Sequence, residues 1–370
     1  MNAAREAAQE AQATPATPAP RVMSVPASRA GRAMRPGGVV LALLAAAAFP
    51  LVFTNPAVTS VGVFTLIYVA AAAAWNSFSG YSGYIALGHA VFFGSGAYTV
   101  AVTAQDLHFK GGYLVFALLP LAGAVSAAIA VPFGLIALRT RRHTFVVITI
   151  AIFFIFQLLA YNLGVTGGSA GMQTPLPIWP AATFNDRFYY VALAIVVLAI
   201  GVSWLIRRSR FGLQLLAIRD DEDRARSLGV RTGRVKLAAF VISAVPTGLA
   251  GGLWVYFLGQ VFPQYGFDPQ FDISVALMAF LGGLGTISGP VLGALLLEPL
   301  QQYFTLRFAA GSLYLIIYGA LFLLVIMFLP RGIIPTAGDW FRSWRARRDG
   351  SRAPAASTDD TGARETEGAR

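Results

Sequence analysis

The sequence predicts an all-α polytopic integral membrane protein of about ten transmembrane or broken helices. Three observations carry that expectation. Of 370 residues, 56% are apolar and 12% charged, whereas a soluble domain carries about 25% charged residues; mean hydropathy is +0.64. Apolar runs close to the roughly 20 residues needed to cross a bilayer core of about 30 Å recur along the chain. Arginine is concentrated in a few segments that fall on one side when the runs are threaded back and forth.

Taken in order, residues 1–36 are rich in Ala, Pro, Thr and Arg with few large apolar side chains, and read as a disordered cytoplasmic tail. Val39 to Phe53 reads as a retained first helix, because a leader this long and proline-rich is atypical of a signal peptide and further spans follow at once. The predicted spans are 39–54, 57–75, 85–104, 113–138, 144–161, 188–206, 237–258, 273–284, 288–304 and 312–329. Only Gly285, Thr286 and Ile287 separate the eighth from the ninth, so either is a candidate short or re-entrant helix. Residues 37–332 form the expected membrane domain. Residues 333–370 read as a largely disordered cytoplasmic tail that starts at the interface around Trp340 and Trp344.

Charge fixes the expected orientation. The tail to residue 36 has five Arg and two Glu, residues 207–236 have nine basic and four acidic residues, 331–370 have eight and six, and Arg139, Arg141 and Arg142 cluster between two spans. Ten crossings place all four segments on the cytoplasmic side, with both termini there.

The composition narrows the chemistry. There is no cysteine, and His89, His108 and His143 are the only histidines, so neither a thiolate site nor a histidine-rich metal centre is expected. Lys110 and Lys236, the only lysines, follow Phe109 and Val235, which excludes a phosphate-binding loop of the G-x-x-x-x-G-K-[ST] type. Within the predicted spans only His89 and Glu298 could relay ions; Glu298 also reads as a residue near a helix end before Pro299. No cofactor and no covalent catalysis are expected, and energy for uphill movement must enter from another chain. Its expected point of entry is Arg219 to Gly229. Acids lead and arginines follow, matching the helix dipole, Asp220–Arg224 and Glu222–Arg226 stand at i, i+4, and Gly229 is a helix stop.

Glycines cluster at Gly80, Gly83, Gly88, Gly94 and Gly96, at Gly167, Gly168 and Gly171, and at Gly282, Gly283, Gly285, Gly289 and Gly293. Steps such as Gly248/Gly252 and Gly285/Gly289/Gly293 allow helices to approach closely. The clusters also permit broken helices, whose ends can hold a zwitterion without a charged side chain. The expected substrate path therefore comprises Asn76, Gly80, Tyr81, Ser82, Gly83, His89, Thr166, Gly167, Gly168, Gly282, Gly283 and Thr286.

The segment Trp75-Asn-Ser-Phe-Ser-Gly-Tyr-Ser-Gly-Tyr-Ile-Ala-Leu-Gly-His-Ala-Val-Phe-Phe-Gly-Ser-Gly-Ala-Tyr98 resembles the N-x-x-x-G-Y-x-G-x-x-S-L-G-H-A-x-F-F-G-x-G-A-Y signature of branched-chain amino-acid ABC importer permeases. Arg139 to Ala151, Thr166 to Gly171, Ala217 to Gly229, Lys236 to Gly252 and Phe280 to Gly293 resemble later blocks of that family in the same order, so the likeness runs from about residue 65 to 330. The second block and the length resemble the M-type subunit. The resemblance implies ABC importer permease architecture and a path for branched-chain amino acids in the bacterial inner membrane. Its implied partners are a second permease in a heterodimer, two cytoplasmic ATPases, an extracytoplasmic binding protein and lipid, with no nucleic acid. It carries ATPase coupling onto Arg219, Asp220, Glu222, Ala225, Leu228 and Gly229. The sequence departs from the pattern at Ala86, where the family has Ser, at Arg142-His143-Thr144 and at Asp220-Asp221. Urea or short amides are the rival substrates, and a stand-alone channel or secondary carrier is the rival mechanism.

Overall fold

The computed structural model describes residues 36–307, with residues 316, 319–320, 323, 327 and 332–337. The two tails, apart from 332–337, and most of the predicted span 312–329 lie outside the described residues, as do Trp340 and Trp344. Chain contacts divide the molecule into two units at Ala46/Ala47. The first contributes only the start of helix α1 (Pro36–Val52), and all that follows concerns the second.

Apolar sequence runs become helices whose ends are set by local chemistry. Helix α2 (Pro56–Trp75) starts where Asn55 Oδ1 accepts the Ala57 N–H at 3.0 Å and Pro56 occupies the first turn, a position that needs no N–H. It continues through a π-turn, Asn76–Gly80. An irregular link, 83–89, leads to α3 (Ala90–Asp106). A single turn, α4 (Tyr113–Phe116), precedes α5 (Leu119–Ala137), followed by α6 (Arg142–Asn162) and the long α7 (Ala181–Arg208). Two shorter helices, α8 (Arg210–Asp220) and α9 (Glu222–Ser227), join α7 to α10 (Thr232–Leu258). After the single turn α11 (Pro263–Gly266) come α12 (Pro269–Gly282) and α13 (Gly289–Arg307). Two-residue strands, β1 (Met172–Gln173) and β2 (Gln260–Val261), pair antiparallel.

Among the described residues, five segments are long and apolar enough to cross a membrane: Pro56–Gly80, Tyr113–Ala137, Arg142–Asn162, Thr183–Arg208 and Thr232–Leu258. Helix α12, at 14 residues, is about 21 Å long and falls short of the hydrocarbon core on its own. The third predicted span begins later than its apolar pattern suggests. Residues 83–89 are apolar enough for a helix, but Gly83 has φ +73° and the link is pinned by side chains from other elements. Trp75 Nε1 donates to the Ala86 carbonyl at 2.8 Å, the Ala86 N–H to Ser79 Oγ at 3.3 Å, and the Leu87 N–H to Thr149 Oγ1 at 3.2 Å. Irregular backbone at membrane depth survives only when protein satisfies it in this way.

Helix α10 is the centre of the bundle and packs on α2, α3, α5 and α7; α2 also packs on α7, α12 and α13. Lipid is as apolar as leucine, so close van der Waals packing holds these helices together. A Cβ on Gly96 would overlap the Gly248 carbonyl, and one on Gly251 would overlap that of Phe93. Glycine thus lets α3 and α10 touch backbone to backbone. Gly293 does the same for α13 against Met278 of α12. Phe92, Phe133 and Phe240 form an aromatic cluster with ring centroids 5.1–5.6 Å apart.

Candidate functional site

Apart from His89, the predicted path residues separate into two groups at opposite ends of the bundle. The first gathers both glycine breaks at the end that bears the basic connections. Asn76, exposed to the interior by the π-turn, clasps the α12–α13 turn: its Nδ2 donates to the Thr286 carbonyl at 2.8 Å, and its Oδ1 accepts the Gly285 N–H at 2.8 Å. Gly283 and Gly285 have φ +124° and +77°, which L-side chains rarely adopt. Thr286 Oγ1 donates to the Gly283 carbonyl and accepts the Gly289 N–H, so the turn is closed by its own hydroxyl. Gly80, Tyr81, Ser82, Gly83, Gly282 and Gly283 lie in the same pair of breaks.

Two arginines enter these breaks. Arg207, at the end of α7, donates to the Gly285 carbonyl. Arg219, near the end of α8, donates from Nη1 to the Gly80 carbonyl at 2.8 Å. A Cβ on Gly83 would stand 3.0 Å from Arg219 Cγ, and one on Gly285 would collide with its guanidinium. One side chain thus lies across both breaks. The carbonyls of Ile218 and Arg219 in turn accept from Arg142 at the start of α6. The freed carbonyls of Gly80, Gly285 and Thr286 therefore already have protein donors.

The predicted entry segment, 219–229, is two helices meeting at a break. Asp221 leaves α-geometry, with φ −155°, and its side chain caps α9 by accepting the N–H groups of Asp223 and Arg224. The expected i, i+4 pairing of Asp220 with Arg224 therefore gives way. Asp220 ends α8, and Arg224 pairs with Asp221 at 3.0 Å on the surface, a contact worth about 0–1 kcal/mol. Gly229, φ +87°, stops α9 as expected, with the Val230 N–H reaching back to the Ala225 carbonyl. Ala225 is buried, whereas Leu228 is 82% exposed.

Glu222 does pair with Arg226, at 3.6 Å, but its nearer partner lies elsewhere. Lys236 Nζ, on α10, is 2.7 Å from Glu222 Oε1 and 3.0 Å from Tyr84 Oη, and Tyr84 Oη donates to Glu222 Oε2. Burial works against the Glu222 carboxylate. Hydrogen bonds from Lys236 and Tyr84, with the Lys236 charge, outweigh it and hold the carboxyl below the ordinary glutamate range.

His89 is fully buried between Phe92 and Phe240, both edge-on at 5.4 and 5.7 Å, with Nε2 3.1 Å from Ser243 Oγ. Glu298 stands in the middle of α13, not near its end, and accepts from Gln302 at 3.0 Å. A second buried acid escapes the sequence pattern. Asp272, just outside the predicted span 273–284, belongs to α12 and is 3% exposed; its Oδ1 accepts the Ala90 N–H at 3.0 Å, capping α3. The signal was present in Asp268-Pro269, a helix start just upstream.

The second group, Thr166, Gly167 and Gly168, lies at the far end of α6, where two short 3-10 turns precede the β1–β2 pair. Thr166 Oγ1 donates to the carbonyls of Ala160 and Leu163. Beside it opens a mostly apolar cleft of about 380 Å³, lined by Tyr98, Thr99, Thr103, Phe156, Thr166 and Phe267 among others. Ser95, Thr99 and Thr103 reach it from α3 at four-residue spacing, a single helical face. No group of three or more His, Cys, Asp or Glu arranged to hold a metal occurs among the described residues.

An all-α bundle with bilayer-length apolar helices, its helix breaks satisfied from within, defines a multi-pass membrane protein. Residues 57–326 match the family model for the permease component of the branched-chain amino acid transport system. The chain belongs to this family of ABC importer permeases, and its M-type likeness shows in the relatives. It is 31% identical to the high-affinity branched-chain amino acid transport system permease protein LivM of Salmonella typhimurium, over 79% of this chain and 73% of that one. It is 30% identical to LivM of Escherichia coli, over 80% and 74%. The probable branched-chain amino acid transport permease protein LivH of Methanocaldococcus jannaschii is 29% identical over only 42% of this chain and 50% of its own. No solved structure matches.

Proposed function

We propose that this permease carries branched-chain amino acids inward across the bacterial inner membrane, with both termini cytoplasmic. It pairs with a second permease, receives solute from an extracytoplasmic binding protein and is driven by two cytoplasmic ATPases docked on α8 and α9. The observation that carries this reading is Arg219. Its backbone sits at the α8–α9 joint and its side chain spans both glycine breaks, so displacement of the joint acts directly on the gated segment. Asp220, Glu222, Ala225, Leu228 and Gly229 shape the docking face, with Leu228 exposed for contact. The far cleft supports an apolar solute: its lining is largely aliphatic and aromatic, and it has the volume for a whole leucine. Asn76, Gly80, Tyr81, Ser82, Gly83, His89, Gly282, Gly283 and Thr286 then line or brace the inner half of the path, and Thr166, Gly167 and Gly168 its outer half.

The test is uptake in proteoliposomes holding the full complex, with labelled leucine and labelled urea. ATP-dependent accumulation of leucine over urea is expected, and deletion of 220–228 should abolish it while the chain still inserts. Uptake by this chain alone, preference for urea, or normal uptake after the deletion overturns the reading.

A further inference from the structure

We propose that Lys236 is a positioning residue of transport: with Tyr84 and Glu222 it forms the joint through which movement of α9 reaches the irregular link 83–89. The proposal rests on the reading of α8 and α9 as the ATPase-docking segment. Three elements distant in sequence meet here through three mutual hydrogen bonds, Lys236 to Glu222, Lys236 to Tyr84, and Tyr84 to Glu222. The ammonium also lies 4.3 Å from the centroid of the Tyr84 ring. Tyr84 is 1% exposed and the Lys236 side chain 4%, so water cannot replace a lost partner. Arg226 does not substitute for Lys236: it reaches Glu222 only at 3.6 Å and is 65% exposed.

The geometry makes the three groups move as one. The Tyr84 hydroxyl accepts a hydrogen bond from Lys236 and donates one to Glu222, so neither bond changes without the other. Drawing α9 away would strand a buried ammonium on α10, which is costly, unless the flexible Lys236 stem carries the ammonium after Glu222 and draws with it the Tyr84 hydroxyl bonded to both. Tyr84 follows only by moving the link, whose other holds are Trp75, Ser79 and Thr149. Gly83, the residue before Tyr84, packs against Arg219, so the joint and the arginine act on the same stretch of chain.

The experiment measures solute moved per ATP hydrolysed by the assembled complex in proteoliposomes, with labelled leucine. Tyr84→Phe removes the hydroxyl and keeps the ring's edge-on packing on Phe145; Lys236→Met removes the charge and keeps the stem. Each is expected to lower the transport-to-hydrolysis ratio about tenfold, within the range of coupling between sites, while hydrolysis persists. The paired exchange Glu222→Lys with Lys236→Glu should restore most of the ratio that Lys236→Met loses. An unchanged ratio in both single variants, or transport and hydrolysis falling in proportion, overturns the proposal. Absence of ATP-driven uptake in the wild-type complex would instead overturn the functional reading beneath it.

Discussion

At the scale of single residues, Glu222 joins two opposed effects whose balance sets a pH dependence. Its carboxyl is held below the ordinary value of 4.5, so the stability it supplies is complete above about pH 4.5 and is lost as pH falls through the folded value. Thermal unfolding in detergent should show a gap between wild type and Glu222→Gln that is constant near neutrality and closes in acid. A gap that persists unchanged to about pH 3 would contradict this sign. Asp272 gives a second prediction. As the acceptor for the first N–H of α3, its loss in Asp272→Ala should cost about 1 kcal/mol in the same assay, while Asp272→Asn, which keeps the acceptor, recovers most of it.

Legibility differed sharply among these residues. The Gly229 stop and the Glu222–Arg226 pair follow from local spacing and could be read directly. Lys236 is 14 residues from Glu222 and Tyr84 is 138, and no local pattern encodes such a meeting. The Asp220–Arg224 pair was misplaced because an i, i+4 rule presumes one continuous helix, and the capping side chain of Asp221 interrupts it.

At the scale of elements, the bundle depends on two helices touching along their backbones. A leucine at Gly248 would need the space of Ser126 and the Ala122 carbonyl. Overpacking of this kind typically costs about 1–3 kcal/mol, so Gly248→Leu should lower the unfolding temperature in detergent, whereas Gly233→Ala, facing open space, should not. Helix starts at Asn55-Pro56 and Asp268-Pro269 are written in residue chemistry, and apolar runs located the long helices with starts up to seven residues off, at α7. The link 83–89 was hidden for the opposite reason. Its residues are apolar, and what prevents a helix there is a set of hydrogen bonds from Trp75, Ser79 and Thr149, which only the folded bundle supplies.

At the scale of the whole molecule, α6 is the outlier, with only 22% of its apolar window buried, against 67% for α10. Phe145, Thr149, Phe153 and Ala160 face inward, and Val147, Phe154, Ile155 and Leu158 outward. An apolar carbene precursor dissolved in the bilayer, which inserts into C–H bonds and needs no ionised group, can map this division. In membranes holding this chain alone, photolysis should modify residues 147, 154 and 158 and leave 145 and 153 unlabelled, as read by mass spectrometry. Equal labelling of both faces would contradict the packing of α6.

The π-turn at 76–80 gives the molecule a fixed phase. A π-turn holds one residue more than regular α-winding, and that surplus aims Asn76 at the α12–α13 turn while α2 keeps its face toward α7 and α10. Excising a single residue between 76 and 80 would rotate one flank against the other by about 100°, unhooking either the clasp or the interface. The length of that stretch, and not only its side chains, is therefore part of the fit.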